Sequence, residues 1–185
     1  MNRRPLKIIG INPGTRYLGI AVLQDSELLD WRIKALEGKW SNEKIKKAIK
    51  ILSDFFYQYE PTVIVIKKLH SSRGSENLLR LTNKIKEFSK CKKLKVYQYS
   101  IKEIESFFIE DEKLNKQNLI DAIASLYPIL HHDLSKERSQ KNAYYIRAFE
   151  AVALASACSQ RLGKSRLAKR LKKRSAGMAG QVKRR

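Results

Sequence analysis

Residues 9–22 read Ile-Gly-Ile-Asn-Pro-Gly-Thr-Arg-Tyr-Leu-Gly-Ile-Ala-Val, and this stretch decides the fold. Two apolar runs, residues 6–12 and 17–24, flank a turn that contains Pro13 and Gly14. Short apolar runs bounded by turn residues are typical of strands, and a tight turn between them makes the strands antiparallel. A third run, residues 27–36, follows a turn at Asp25-Ser26. The chain is therefore predicted to begin with a three-stranded antiparallel meander.

The rest of the chain alternates between helical and strand patterns. Continuous apolar runs predict strands at residues 62–66 and 94–99. Apolar residues at helical spacing, together with capping residues, predict helices over residues 42–59, from a cap at 75, from a capping box at 100, from about 115 to 127, and over about 142–162. The order β-β-β-α-β-α-β-α-α-α predicts an α/β domain with a mixed five-stranded sheet flanked by helices.

The charge balance indicates the class of partner. Lys and Arg total 39 against 18 Asp and Glu, which gives a formal net charge of +21. Such an excess in a chain that is 43% hydrophobic, and can therefore build a core, predicts binding to a polyanion. The two cysteines match no metal-ligand spacing and no disulfide framework. Neither a signal peptide nor a membrane span is recognisable, so a cytoplasmic location without a membrane partner is expected.

The positive charge is unevenly distributed along the chain. Residues 163–185 contain ten Lys and Arg and no acid, which leaves +11 of the +21 in residues 1–162. We therefore predict a folded domain over 1–162 and a basic C-terminal tail over 163–185. Within the tail, residues 165–174 are predicted to form a basic helix and 175–180 to be flexible. The tail either orders on a polyanion or serves only solubility.

Three segments together resemble RuvC-type Holliday-junction resolvases of the ribonuclease H-like fold. Residues 9–22 resemble the family's opening, in which a strand ends in Asp-Pro-Gly. Residues 61–68, Pro-Thr-Val-Ile-Val-Ile-Lys-Lys, resemble its Pro-x-x-x-x-Ile-Glu-x segment, and residues 149–155, Phe-Glu-Ala-Val-Ala-Leu-Ala, resemble its Asp-Ala-Leu-Ala helix. The segments occur in the family's order, and the resemblance covers roughly residues 6–162. It implies a ribonuclease H-like fold, a nucleic-acid substrate and a homodimer.

The resemblance also implies a catalytic centre, and this chain departs from it. Family members hold two divalent ions, about 4 Å apart, with carboxylates from four positions. Those positions correspond here to Asn12, Lys67, Arg147 and Glu150, so only Glu150 is still an acid. The two cations, Lys67 and Arg147, outnumber the one acid. At about 4 Å and an effective dielectric of about 20, two unit charges interact by about 4 kcal/mol, so this cluster would repel a divalent ion. The expectation is a degenerate centre without a metal, in which Lys67, Arg147 and Glu150 form an internal ion pair or present cations to phosphate.

A second set of residues is predicted to contact phosphates. In this fold the turn after the first strand and the loop after the fourth lie near one sheet edge. The candidates there are Arg16, Lys67, Lys68, Ser71, Ser72 and Arg73, and those in the tail are Lys169, Arg170, Lys172, Lys173 and Arg174. Such contacts give affinity without sequence specificity. Tyr144 and Tyr145 either stack on unpaired bases or pack in the core.

Other polar clusters favour ordinary structural roles. The acids at 103, 105 and 110–112 are more typical of a solvated helix end than of a nuclease centre, and the run His131-His132-Asp133 is expected in a loop, where adjacent histidines usually point apart. Asp121 is expected on a helix surface. Gly14 is expected as a turn residue.

These observations lead to one hypothesis with two alternatives. The hypothesis is a RuvC-like protein that binds branched or structured nucleic acid without cleaving it and needs no cofactor. The first alternative is an active crossover-junction endodeoxyribonuclease that uses Mg²⁺ at a rearranged site, with Glu150 and an acid not yet placed. The second is an RNA-binding structural component of a ribonucleoprotein, because extended basic tails thread well between RNA helices.

Overall fold

The computed structural model of the chain describes residues 5–70, 74–109, 115–140 and 143–182, with the side chains of residues 140, 143 and 165–182 outside the description. The strands are β1 Lys7–Asn12, β2 Tyr17–Gln24, β3 Glu27–Ala35, β4 Val63–Lys67 and β5 Lys95–Tyr99. The helices are α1 Asn42–Tyr59, α2 Glu76–Cys91, α3 Ile101–Phe108, α4 Lys116–Leu126, α5 His131–Gln140 and α6 Ala143–Val182, with a 3-10 turn at Pro128–Leu130.

The five strands form one mixed sheet in the order β3-β2-β1-β4-β5. β2 pairs antiparallel with both β1 and β3, which confirms the meander. β4 pairs in parallel with β1 and β5, as the two helical crossovers require. The predicted α/β class and five-stranded mixed sheet are therefore confirmed, with β1 at the centre.

Helices cover both faces of the sheet. On one face α1 and α2 pack over Ile9, Ile11, Ile64 and Ile66, which form one apolar cluster with the inward residues of both helices. On the other face α3, α4 and α6 pack over Ile8, Ala21, Val63 and Val65. Successive strand residues point to opposite faces, and both faces are covered, so β1 and β4 read as unbroken apolar runs.

The capping residues fix where several helices begin. The Ser41 hydroxyl accepts from the Lys44 backbone N–H at the start of α1, and Ser75 does the same for α2. Ser100 and Glu103 form the reciprocal capping box predicted for α3. Each such contact satisfies a backbone donor that the helix itself leaves free.

Two glycines let α6 lie directly against the sheet. A Cβ atom placed on Gly10 would come within 2.2 Å of the Ala151 carbonyl oxygen, and one on Gly19 would come within 2.2 Å of the Arg147 carbonyl oxygen. Backbone-to-backbone packing at these positions is possible only without a side chain. Gly10 is in β1 and Gly19 in β2, so α6 lies across these two neighbouring strands of the sheet.

Two helical features differ from the sequence-based prediction. Residues 131–133 begin α5 instead of lying in a loop. This helix is almost entirely polar, and Leu134 is its only hydrophobic residue, so it has no apolar periodicity to reveal it.

The second difference is the length of the last helix. α6 continues to Val182, so the segment 175–180 that was predicted to be flexible is helical. No proline interrupts residues 143–182, and the segment is rich in Ala, Leu, Lys and Arg. A glycine inside a helix costs only about 1 kcal/mol relative to alanine, and Gly177 and Gly180 do not end it. Among the described residues, no helix is long and apolar enough to cross a membrane.

Candidate functional site

Four side chains from three elements meet at one end of the sheet, where the carboxyl ends of β1 and β4 lie. We call this end of the strands the sheet edge. Asn12 is the last residue of β1 and Lys67 is the last residue of β4, and these strands are parallel neighbours. Parallel neighbours end at the same edge, where open α/β sheets commonly bind ligands. Arg147 and Glu150 lie one turn apart on α6, which crosses this edge. The four positions singled out in the sequence therefore come together in space.

Glu150 is the centre of the cluster and is almost completely buried, with 3% of its side chain exposed. Its Oε2 accepts a hydrogen bond of 2.5 Å from Asn12 Nδ2. The same oxygen accepts from Lys67 Nζ in an ion pair, and the Lys67 side chain is one-fifth exposed. A buried carboxylate needs a cation and hydrogen-bond donors to offset its lost hydration, and Lys67 and Asn12 supply both.

Arg147 has a different partner from the one expected. Its Nη1 donates to the Asn12 side-chain oxygen at 3.2 Å and to the Pro13 carbonyl at 3.1 Å. The guanidinium also lies over Gly14, where an added Cβ would be 3.0 Å from its Cζ. Arg147 is therefore bound to the turn between β1 and β2, and the internal ion pair consists of Lys67 and Glu150.

These contacts do not suit a pair of divalent ions. The Lys67 ammonium already occupies Glu150 Oε2, and the Arg147 guanidinium occupies the Asn12 oxygen. Both are oxygens that a metal would need, since Mg²⁺ binds hard oxygen ligands. Over the described ranges, no three His, Cys, Asp or Glu side chains are grouped so that they could hold a metal ion.

The second oxygen of Glu150 lacks a close partner. Oε1 is buried and has no hydrogen bond, and Lys116 Nζ lies 4.0 Å from it. Lys116 is the first residue of α4, and its side chain is 59% exposed. Glu150 therefore has one oxygen with two donors and one oxygen whose ion-pair partner is an exposed lysine.

Glu105 is a member of this site that the sequence-based interpretation missed. The Glu105 residue is buried on α3, and burial raises the pKa of its carboxyl, with the neighbouring Glu150 charge adding to the rise and Lys116 and Lys67 opposing it. A signal was available, because Glu105 shares the apolar face of α3 with Ile101, Ile104 and Phe108. Only Glu103 of the described acids fits the predicted helix-end role, and residues 110–112 lie outside the described residues.

The residues predicted to contact phosphate are only partly described. Arg16 lies in the turn after β1 and Lys68 follows β4, so both lie at the same sheet edge as Lys67. Both residues are exposed. Ser71, Ser72 and Arg73 lie outside the described residues. The tail cations Lys169, Arg170, Lys172, Lys173 and Arg174 follow the α6 backbone, and their side chains are outside the description.

The other polar candidates have structural partners. Asp133 accepts from Trp31 Nε1 at 2.6 Å, which ties α5 to β3. Asp121 pairs with Arg138 at 2.7 Å on the surface of α4, as expected for a helix surface position. Tyr144 is half-buried, with its ring edge-on to Tyr17 at 5.0 Å. Tyr144 therefore packs against Tyr17, which is one of the two roles expected for it.

Comparison with solved structures identifies the fold. The Thermus thermophilus RuvC structure aligns with a TM-score of 0.66 at 13% identity, covering 85% of this chain and 97% of that one. T. thermophilus RuvC in complex with Holliday junction substrate aligns with a TM-score of 0.61 at 13% identity, covering 82% and 91%. The Fowlpox virus resolvase in complex with Holliday junction DNA aligns with a TM-score of 0.55 at 15% identity, covering 85% and 99%.

No protein-family model and no curated protein matches the sequence. At 13–15% identity the structural alignments establish the architecture alone. The chain has the ribonuclease H-like fold of these resolvases, as the resemblance implied.

Breaking the Lys67–Glu150 pair from one side should be strongly destabilising, because it leaves a buried charge without its partner. Replacing Lys67 with Met leaves Glu150 buried without its cation, and we expect a loss of about 3 kcal/mol in the free energy of unfolding, measured by urea denaturation. The double variant Lys67→Met/Glu150→Gln should recover most of this loss. Lys84→Met is the matched control, because the Lys84–Glu87 pair is more than half exposed and should cost less than about 1 kcal/mol. Equal losses at both sites would contradict the buried pair.

The pH dependence of stability should report on Glu105. A carboxyl whose pKa is raised on folding binds its proton more tightly in the folded state, so stability falls as pH rises from its ordinary pKa of 4.5 through the raised value. Glu105→Gln should therefore raise the melting temperature at pH 7 more than at pH 4. The pKa of Glu103 is lowered by hydrogen bonds from Ser100. Glu103→Gln should lower the melting temperature at pH 7, and the same sign for both variants would refute the assignment.

Proposed function

We propose that the protein binds branched or structured nucleic acid at the sheet edge formed by the ends of β1 and β4, and that it does not cleave it. The observation that carries this proposal is the buried ion pair between Lys67 and Glu150. An ammonium group takes the place at Glu150 that a catalytic divalent ion would need. The fold is shared with junction resolvases. At the centre, Lys67 of the same chain neutralises the charge of Glu150.

The absence of cleavage follows from what hydrolysis requires. A metal-activated water and a metal-stabilised leaving oxygen both need carboxylates that are free to bind the ions. Here Asn12 is neutral, Lys67 is a cation, and Arg147 bonds to Asn12 and Pro13. A lysine can attract the phosphate charge and cannot lower the pKa of a bound water as a divalent ion does.

Binding is supported by the charge at the same edge and by the fold. Arg16 and Lys68 are exposed beside the cluster, so a phosphate backbone that passes this edge meets them first. Lys67 engages a phosphate only if its pair with Glu150 loosens, so we assign it a secondary part in binding. Two of the structurally similar proteins were solved with Holliday junctions, which makes a four-way junction the first ligand to test.

The basic tail extends this surface in the proposal. Arg161 stacks over the Tyr99 ring at 4.5 Å, and Lys164 lies 5.7 Å from the Phe107 ring, so the basic segment emerges from α6 beside α3. The cations beyond Lys164 would reach phosphates outside the edge itself. We retain the two-fold homodimer as part of the proposal, and sedimentation of the protein with and without junction DNA tests it.

A second candidate is an active endonuclease, and Glu105 is the observation that favours it. Glu105 adds a second buried carboxylate, close enough to Glu150 for the two charges to interact, and Glu150 Oε1 is buried without a hydrogen bond. If Lys67 withdrew, these two acids could share a single divalent ion. The RNA-binding structural component has no such specific support, because it depends on the basic tail alone.

A junction assay separates the two candidates. Labelled four-way DNA junction, linear duplex and an RNA hairpin are incubated with the protein in EDTA, Mg²⁺ or Mn²⁺, and binding is read by anisotropy and strand breaks by denaturing gel. We expect the junction to bind without metal, more tightly than the duplex or the hairpin, and to stay intact with metal. Metal-dependent nicks that disappear in both Glu150→Ala and Glu105→Ala would establish the endonuclease instead.

The binding surface has a matched control in the same assay. Arg16→Ala/Lys68→Ala removes two exposed cations from the edge, and Lys47→Ala/Lys90→Ala removes two from the helices on the far layer. Only the first variant should weaken junction binding, by roughly tenfold at low salt. A stronger effect of the second would relocate the nucleic-acid surface. Tighter binding to the RNA hairpin than to the junction would favour the ribonucleoprotein component.

The tail should contribute affinity without contributing stability. Truncation after Lys164 removes nine Lys and Arg and keeps the contact with Phe107. The midpoint of urea unfolding should not change. Junction affinity should fall, and the slope of log affinity against log salt should become shallower by about 0.9 for each phosphate that the tail no longer neutralises.

A length-matched variant controls for the truncation. Glutamines at 169, 170, 172, 173 and 174 keep the length of the chain and remove five of the nine charges, so they should reproduce about half of the change in slope. An unchanged slope in both variants would mean that the tail does not touch the nucleic acid.

A further inference from the structure

A groove of about 950 Å³ separates α1 from α2 on the sheet face opposite α6. Ile45, Ile49 and Phe88 give it an apolar floor. Five Lys or Arg and two acids line it, so its walls carry a net positive charge. None of these residues belongs to the proposed nucleic-acid edge, so the groove is a separate surface.

Two side-chain contacts close the groove at its ends. Arg80 Nη2 donates to Asn42 Oδ1 at 3.1 Å where both helices begin. Near the other end, Lys92 Nζ donates to Tyr57 Oη at 3.1 Å and lies over the Tyr57 ring. Between these contacts, Lys46 and Lys84 pair with acids on their own helices and so do not bridge the walls. The middle of the groove is therefore open.

The dimensions suit a helix. Asn42 and Tyr57 are fifteen residues apart on α1, which corresponds to about 22 Å at a rise of about 1.5 Å per residue. A helix of three to four turns spans roughly 16–22 Å and presents an apolar stripe that Ile45, Ile49 and Phe88 could cover. Acidic residues beside that stripe would lie against Lys50, Arg80 and Lys92 on the walls.

We propose that this groove binds an amphipathic helix of a partner protein, with an apolar stripe flanked by Asp and Glu. Charge complementarity selects this occupant. A second copy of the chain, at +21, would bring like charge to basic walls. A nucleic-acid backbone would find the cations but would leave the apolar floor unused.

Synthetic peptides test the proposal on the full-length protein. The first, about fourteen residues long to match four turns, has leucines at helical spacing and flanking glutamates. The second keeps the leucines with lysines as flanks, and the third keeps the glutamates with scrambled leucine positions. In fluorescence anisotropy the first should bind roughly tenfold more tightly than either of the others. If the scrambled acidic peptide bound as tightly as the first, binding would depend on net charge alone, and the proposal would be overturned.

A pair of charge-matched variants locates the binding. Lys50→Glu/Lys84→Glu reverses two cations on the groove walls, and Lys47→Glu/Lys90→Glu reverses two exposed cations outside it. The first should weaken peptide binding by roughly tenfold or more and the second by less than about threefold. All four positions are on the surface, and circular dichroism verifies that both variants fold. Equal losses would contradict a groove site.

Two further outcomes would overturn the proposal in favour of another occupant. Loss of junction affinity in the groove variant, with the peptide displaced by junction DNA, would identify a nucleic-acid surface. A concentration-dependent dimer that the groove variant abolishes would identify a second copy of the chain. Amide shifts confined to the facing turns of α1 and α2 on titration with the acidic peptide would support the proposal.

Discussion

Close contact between α6 and the central strands is the constraint on which the site depends. Gly10 and Gly19 remove the side chains that would hold the helix away, since a Cβ on either would lie 2.2 Å from a carbonyl oxygen of α6. Side chains at these two positions would hold the helix further from the sheet. Because α6 lies closer, Glu150 reaches Asn12 directly and Arg147 reaches the turn beyond it.

Burial of Glu150 then determines what else the centre must contain. A carboxylate removed from water is costly unless a cation and donors accompany it, and an exchangeable metal ion is one way to supply the charge. In this chain Lys67 supplies it through a covalently tethered ammonium group. Such a cation cannot dissociate, carries one charge instead of two and activates no water. On the proposed function, this pair neutralises Glu150 without a metal and places an ammonium group where a catalytic ion would have to bind.

The sequence predicted the parts of the molecule that local pattern controls. Apolar runs and turn residues located all five strands, and the segment around Asn12 pointed to the convergence that the structure contains. The predictions that were wrong have physical reasons. α5 has no apolar stripe, and α6 continues through Gly177 and Gly180 because neither outweighs the surrounding helix formers. Glu105 was assigned to a solvated helix end from its acidic neighbours, although its position on the apolar face of α3 indicated burial.

The architecture also separates two kinds of surface. The proposed nucleic-acid edge consists of strand ends and α6, whereas the groove lies between α1 and α2 on the opposite layer. Lys68 begins the connection from the edge at Lys67 to the start of α2, so the two surfaces are adjacent along the chain but are built from different side chains. A protein that holds nucleic acid without cutting it can act by bringing a partner protein to the bound nucleic acid. On the two proposals together, a partner in the groove would be recruited without competing for the phosphates at the edge.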